Sequence, residues 1–123
     1  MSTQPPTDLR LRTKDFALRV VRMYQGLPKT GEAKVLGNQV LRSGTSVGAQ
    51  YREACRAKSN RDFISKMEGS LQELDETAYW LELLAEAEII APERLAELQK
   101  ETEELIAIFV TSIKTAKKSQ NSK

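Results

Sequence analysis

The sequence predicts an all-α protein, an antiparallel up-down four-helix bundle with short loops. Apolar residues recur at spacings of three and four along four long stretches, which is the pattern of helices that bury one side. Breaker residues punctuate the chain between these stretches, at 26–31, 58–59 and 89–92. With 123 residues, the chain is long enough to bury one core without metal or disulfide support.

The stretch 42–84 defines the centre of the predicted fold, because it contains the end of one helix, a turn and most of the next helix. Ser59 and Asp62 have the spacing of a capping box, so the third helix is predicted over 60–87. We place Trp80 in the core. The predicted inward seam of this helix is Ile64, Met67, Leu71, Leu74, Ala78, Leu81 and Ala85.

The first helix is predicted over 14–25, with Thr13 as its N-cap and Phe16 and Val20 on its buried side. The preceding residues, 1–12, contain Pro5-Pro6 and few apolar side chains. We therefore expect them to form a flexible arm.

The second helix is predicted over 32–57. Gly44 and Gly48 lie in its middle, where each costs about 1 kcal/mol of helix propensity relative to Ala. They indicate either a close approach to a neighbouring helix or a bend. The residues expected to face inward are Val35, Leu36, Val40, Val47, Tyr51 and either Ala54 or Cys55.

The fourth helix is predicted over 92–117, opening with Pro92 at its first position. The bundle would then occupy 13–118, and 119–123 would form a mobile polar tail. Its predicted inward stripe is Leu95, Leu98, Thr102, Leu105, Phe109 and Ile113.

The sequence contains few of the residues that catalytic sites require. The chain has no histidine, which is the commonest general base and metal ligand, and it has one cysteine, which we expect to be buried and inert. A metal site would need Glu53 with Glu73 or Glu76, but the favoured interpretation of these carboxylates is that they are solvated or form ion pairs with Arg42, Arg52 and Arg56. We expect no enzyme activity, no metal and no cofactor.

Charge is divided unevenly along the sequence. Residues 1–61 hold twelve Lys/Arg and four Asp/Glu, whereas residues 62–123 hold seven and thirteen. The basic first helices could simply pack against the acidic last ones, or some of the basic residues could remain free to bind a polyanion. The candidate nucleic-acid-binding residues are Arg12, Arg19, Arg22, Arg42, Arg52, Arg56, Lys58 and Arg61.

No segment approaches the ~20 apolar residues that span a bilayer, and residues 1–8 lack the pattern of a secretory signal. We therefore expect a cytoplasmic protein.

Four groups of residues within 42–84 resemble a known family in their order: the run RSGTSVGA from Arg42, the step from Tyr51 to Ala54, the group Ser59, Asp62 and Phe63, and the segment 73–84 around Trp80. They look like the bacterial four-helix-bundle proteins associated with intervening sequences in 23S ribosomal RNA genes. The resemblance covers about a third of the chain closely.

This resemblance implies a ring-like homopentamer. It also implies a relation to the accessory protein of diversity-generating retroelements, a basic bundle that binds nucleic acid and partners a reverse transcriptase. Two functions stay open: a nucleic-acid-binding accessory protein that uses its basic surface, and a structural or protein-interaction module without a nucleic-acid ligand.

Overall fold

Four α-helices account for most of the chain. The computed structural model describes residues 8–121, which contain α1 (Leu9–Gln25), α2 (Gly31–Cys55), α3 (Asn60–Glu86) and α4 (Pro92–Asn121), and no strand. The helices are joined by the short connections 26–30, 56–59 and 87–91. The predicted all-α bundle is confirmed; residues 1–7 of the predicted arm and 122–123 of the predicted tail lie outside the described residues.

Each helix packs against the next one in the chain, and α4 also meets α1, although less closely. This is the up-down order that short connections enforce. The fully buried large side chains at the centre are Phe16, Val20, Val40, Val47, Met67, Leu74, Leu81, Leu84, Leu95, Leu105 and Phe109.

Helix α1 begins earlier than predicted. Asp8, not Thr13, is its N-cap, and its carboxylate accepts the backbone N–H groups of Arg10 and Leu11 at 3.0 and 3.3 Å. Thr13 instead lies inside the helix, fully buried, with its hydroxyl donating to the carbonyl of Leu9 at 2.6 Å. A threonine hydroxyl can serve either role, so its presence did not fix the helix start.

Glycines on α2 let the backbone of that helix approach α1. A Cβ atom placed on Gly44 would lie 2.8 Å from a methyl carbon of Val20, and one on Gly48 would lie 3.1 Å from the hydroxyl oxygen of Thr13. These distances confirm that the glycine pair lies at a close approach between α1 and α2.

Small hydroxyl residues hold α2 against α3. The hydroxyls of Ser43 and Thr77 are 2.8 Å apart, and Ser70 donates to the carbonyl of Val47 at 2.7 Å. Both α3 residues are fully buried. In these two turns of α3, the predicted inward residues were Leu71 and Ala78, the neighbours of Ser70 and Thr77. Both are only half-buried.

The inward prediction for Val35 was wrong, because its side chain is 61% exposed. Of the two alternatives Ala54 and Cys55, Ala54 is the buried one. Cys55 is exposed, so the prediction of a buried cysteine was also wrong. The buried positions near Val35 are Ala33 and Gly37. Since the tight α1–α2 contact selects small side chains there, apolar character pointed to the wrong positions.

Helices α3 and α4 begin as predicted, whereas α2 ends at Cys55, two residues earlier than predicted. Ser59 accepts the backbone N–H of Asp62 at 3.0 Å, and Pro92 opens α4. Helix α4 continues to Asn121, so the first residues of the predicted tail are helical. Within residues 8–121, every helix is too short or too polar to cross a membrane.

Candidate nucleic-acid interface

The helix contacts fix which residues lie at each end of the bundle. Thr13 of α1 faces Gly48 of α2, and the turn 56–59 places the end of α2 beside the start of α3. The side-chain amide of Asn60 donates to the carbonyl of Ala116 at 2.8 Å, which brings the end of α4 to the same level. One end of the bundle therefore combines the start of α1, the α2–α3 turn and the end of α4.

This end is positively charged. The half of the bundle that contains it, residues 8–17, 45–73 and 107–121, carries eleven Lys/Arg against six Asp/Glu, or +5. The opposite half, residues 18–44 and 74–106, carries seven against eleven, or −4. We call them the basic half and the acidic half. The folded protein thus separates charge along its long axis.

Arg12 is engaged within the protein. Its guanidinium donates two hydrogen bonds to Glu101 and one to Glu104, each at 2.8 Å. The hydrogen bond to Glu101 is the main cause that raises the pKa of Arg12 above its ordinary value. With its acceptors supplied by α4, this arginine joins two helices and is not free for a ligand.

Arg42 is also paired. It lies 3.3 Å from Glu73 and 2.6 Å from Glu76 on α3, and the contact with Glu73 is the main cause that raises its pKa. The favoured interpretation of these carboxylates as ion-pair partners is confirmed for Arg42. Glu53 pairs with Lys66 at 3.3 Å. Among residues 8–121, no three potential metal ligands are grouped.

The remaining predicted cations of the basic half surround the α2–α3 turn. Arg52 lies at the end of α2, Arg56 and Lys58 in the turn, and Arg61 at the start of α3. All four side chains are exposed, and within the described residues of the chain none forms an ion pair. Of the ion pairs offered for these glutamates, the described residues therefore form those of Arg42 and not those of Arg52 and Arg56.

The fold adds cations that the sequence prediction missed. Lys114 and Lys118 reach the basic half from the far end of α4, and Arg10 and Lys14 reach it from α1. All four are exposed. The antiparallel order of the helices could have located them, because it places the end of α4 beside the turn. Lys117, by contrast, pairs with Glu68 at 3.0 Å.

Arg19 and Arg22 lie away from the cations that surround the α2–α3 turn. Both lie in the acidic half, on the side of α1 that faces α4, where they line a cleft with Arg94. The eight predicted residues thus form no single surface: four surround the turn, two lie in this cleft, and two are paired internally.

The basic end also carries a half-buried tyrosine. The ring of Tyr51 meets Phe109 edge-on at 5.8 Å between ring centres. Burial raises the pKa of Tyr51 to about 12, and the neighbouring Cys55 adds to the shift. Tyr51 therefore stays protonated in neutral solution and adds no negative charge to this end.

The fold and the charged surface define a class of protein: a small, highly charged four-helix bundle without grouped metal ligands in its described residues. The comparisons with known proteins place it more narrowly. The family profile described as "23S rRNA-intervening sequence protein" matches residues 8–111. The chain belongs to this family.

A solved structure agrees with this assignment. The chain is similar to a crystal structure from Bacteroides thetaiotaomicron VPI-5482, described as a protein with unknown function from the S23 ribosomal protein family. The sequences are 39% identical, the match covers 85% of this chain and 97% of that one, and the TM-score is 0.78. A comparison with curated proteins found no match.

Proposed function

We propose that this protein is a non-enzymatic, oligomeric accessory protein that binds RNA or DNA through its basic end. The separation of charge along the bundle carries the proposal. Four cations surround the α2–α3 turn without an ion pair to any residue of 8–121, and the fold brings further cations from both terminal helices to the same half. A cytoplasmic location belongs to the proposal, since the ligand is found there.

The proposed contacts are to phosphates. Arginine and lysine side chains that neutralise phosphates release counterions, and this makes binding dependent on salt. Four contacts to a single strand predict roughly a fifty-fold loss of affinity between about 50 and 200 mM salt. Phosphate contacts carry no sequence information, so we expect little preference for sequence.

The test is a matched pair of charge reversals. Arg56→Glu with Arg61→Glu removes two cations from the turn, while Lys34→Glu with Lys100→Glu makes the same change in net charge in the acidic half. All four side chains are exposed, so both variants should fold. RNA binding, measured by fluorescence anisotropy at low salt, should weaken at least roughly tenfold in the first variant and little in the second.

Two results would contradict the proposal. If the native protein binds no RNA or DNA at low salt, the basic end has no polyanion ligand. If both variants lose affinity equally, net charge governs binding and the location of the charge does not.

A structural or protein-interaction module is the second candidate, and the pairing of Arg12 and Arg42 favours it. These arginines show that some of the basic residues are used to join helices. The salt titration separates the candidates, because a module without a nucleic-acid ligand would bind no RNA at any ionic strength.

Assembly as a homopentamer belongs to our proposal. Leu11 and Leu18 support it: they lie seven residues apart on α1 and are 58% and 39% exposed. Side chains two helical turns apart share one face, so they offer a narrow apolar strip to a second copy. A ring would repeat the basic end, so that weak contacts act together. Its protein partner would be a reverse transcriptase, as in the accessory proteins it resembles.

A further inference from the structure

A cleft opens at the acidic half, where α1 and α4 approach each other less closely than the other neighbouring helices do. One region of the cleft, which we call the upper region, has a volume of about 370 Å³. It lies where the end of α1 and the start of α4 meet the connections 26–30 and 87–91. A lower region of about 240 Å³ continues along the same seam. The two regions share Arg22, Met23, Arg94 and Leu95.

Three arginines converge on this cleft. Arg22 of α1 and Arg94 of α4 line both regions, and Arg19, which precedes Arg22 by a single helical turn, lines the lower region. Within residues 8–121, none of their guanidinium groups forms a hydrogen bond or an ion pair. Glu97 lines the cleft as well, but it is not within 4.0 Å of any of them.

This absence of pairing is unexpected in its surroundings. The acidic half carries four more carboxylates than cations, yet these three arginines have no carboxylate partner among the described residues. Like charges at neighbouring helix positions, such as Arg19 and Arg22, repel each other by a few tenths of a kcal/mol. An anion held between the helices would supply the missing partner.

The walls of the cleft indicate what kind of anion fits. A guanidinium group can bind phosphate oxygens in a forked arrangement, and Arg22 and Arg94 bring one such group from each of two facing helices. Beside them lie Met23, Ile89 and Ile90, which are partly exposed and offer apolar contacts. Pockets for small organic ligands combine such apolar walls with a few polar groups, from about 300 Å³ upward.

We infer that this cleft binds a nucleoside phosphate, with Arg22 and Arg94 holding the phosphate and the apolar wall contacting the base or sugar. The nucleotide can be a free mononucleotide or the terminal nucleotide of a strand, since both present the same chemistry. The site lies in the opposite half from the α2–α3 turn and does not depend on the proposed polyanion surface.

Calorimetric titration of the full chain tests the inference with AMP, inorganic phosphate, and a dinucleotide carrying either a 5′-phosphate or a 5′-hydroxyl. Arg22→Gln with Arg94→Gln should weaken AMP binding at least roughly tenfold, because both phosphate contacts are lost. Lys34→Gln with Lys100→Gln is the matched control, with the same charge change in the same half. Circular dichroism checks that each variant is folded.

The titrations with different ligands distinguish a free nucleotide from the end of a strand. Binding of AMP that the arginine variant loses supports a site for free nucleotides. Binding of the 5′-phosphorylated dinucleotide alone, lost in the same variant, supports a site for a strand end.

Three results would overturn the inference: neither AMP nor the phosphorylated dinucleotide binds, the arginine variant binds as tightly as the native chain, or inorganic phosphate binds as tightly as AMP. The last would show that the apolar wall contributes nothing. The RNA test at the basic end is unaffected by any of these results, so the two proposals fail separately.

Discussion

Arg12 shows how one side chain compensates for a loose contact between helices. Helices α1 and α4 approach each other less closely than other neighbours, and Arg12 spans the gap to Glu101 and Glu104. The side chain of Glu101 is only 17% exposed. A carboxylate so little exposed depends on its partner more than a surface carboxylate does.

Replacing Arg12 with Gln should lower the free energy of unfolding by about 2 kcal/mol, because Glu101 keeps its charge but loses two hydrogen bonds. Urea denaturation measures the change. Lys14→Gln, two residues along α1 at an exposed position, should change stability by less than about 0.5 kcal/mol.

A double-mutant cycle with Glu101→Gln isolates the pair itself. A coupling free energy of about 1 kcal/mol or more is expected for this partly buried pair. Additive effects would show that Arg12 and Glu101 act independently.

Residue-level predictions succeeded where hydrophobicity alone decides burial and failed where the shape of a contact decides it. Phe16, Val20 and Val40 are fully buried, as their spacing predicted. Val35 and Cys55 are exposed. The sequence could not show this, because a tight helix contact selects small side chains and displaces larger apolar ones from the interface.

Glycines allow the backbone of α2 to lie close to α1. Gly37, Gly44 and Gly48 all face α1, and a Cβ on the first would lie 3.4 Å from the ring of Tyr24. Three glycines inside one helix cost about 3 kcal/mol of helix propensity relative to Ala. Since the helix keeps them, the close contact must offset that cost.

Gly44→Leu should therefore destabilise the protein by roughly 3 kcal/mol or more, because the new side chain would collide with Val20. Thermal and urea unfolding measure the loss. Ala49→Leu introduces the same side chain at an exposed position of the same helix, and it should have little effect. Equal stability of the two variants would contradict the close approach.

Element-level prediction was accurate in number and order because breakers and caps are local signals. Pro92 and Ser59 marked the starts of α4 and α3 correctly. The start of α1 was placed too late, since Thr13 and Asp8 both have capping side chains and only the fold shows which one caps. The end of α4 was placed too early, because its polar last turn carries no stop signal.

At the scale of the whole molecule, the mass of the particle in solution tests the proposed pentamer. Five protomers of 13.8 kDa make a particle of about 69 kDa. Light scattering should give this mass, and Leu11→Asp with Leu18→Asp should lower it, because charge on the apolar strip opposes contact between copies.

The matched control replaces two exposed apolar residues elsewhere, Val35→Asp with Tyr79→Asp, and should keep the large mass. A native mass of one protomer would rule out the ring. If only the control variant loses the large particle, the contact between copies lies on another face of the bundle.

The candidate interface was only partly predictable, because the sequence shows how many charges there are but not which of them face each other. The sequence prediction grouped eight basic residues by their position in the chain, and folding divided them among a turn, a cleft and two internal pairs. Arg94 joins Arg19 and Arg22 only because α4 returns beside α1. Contacts of this kind depend on tertiary structure, which no local pattern encodes.

The opposite charges at the two ends of the bundle also make each protomer an electric dipole. In the field of a polyanion such a molecule experiences a torque, which turns the α2–α3 turn toward the approaching strand before any contact forms. Its encounter rate should consequently fall as added ions shorten the Debye length from about 30 Å at 10 mM to about 8 Å at 150 mM. Orientation during approach would then be set by the axis of the bundle.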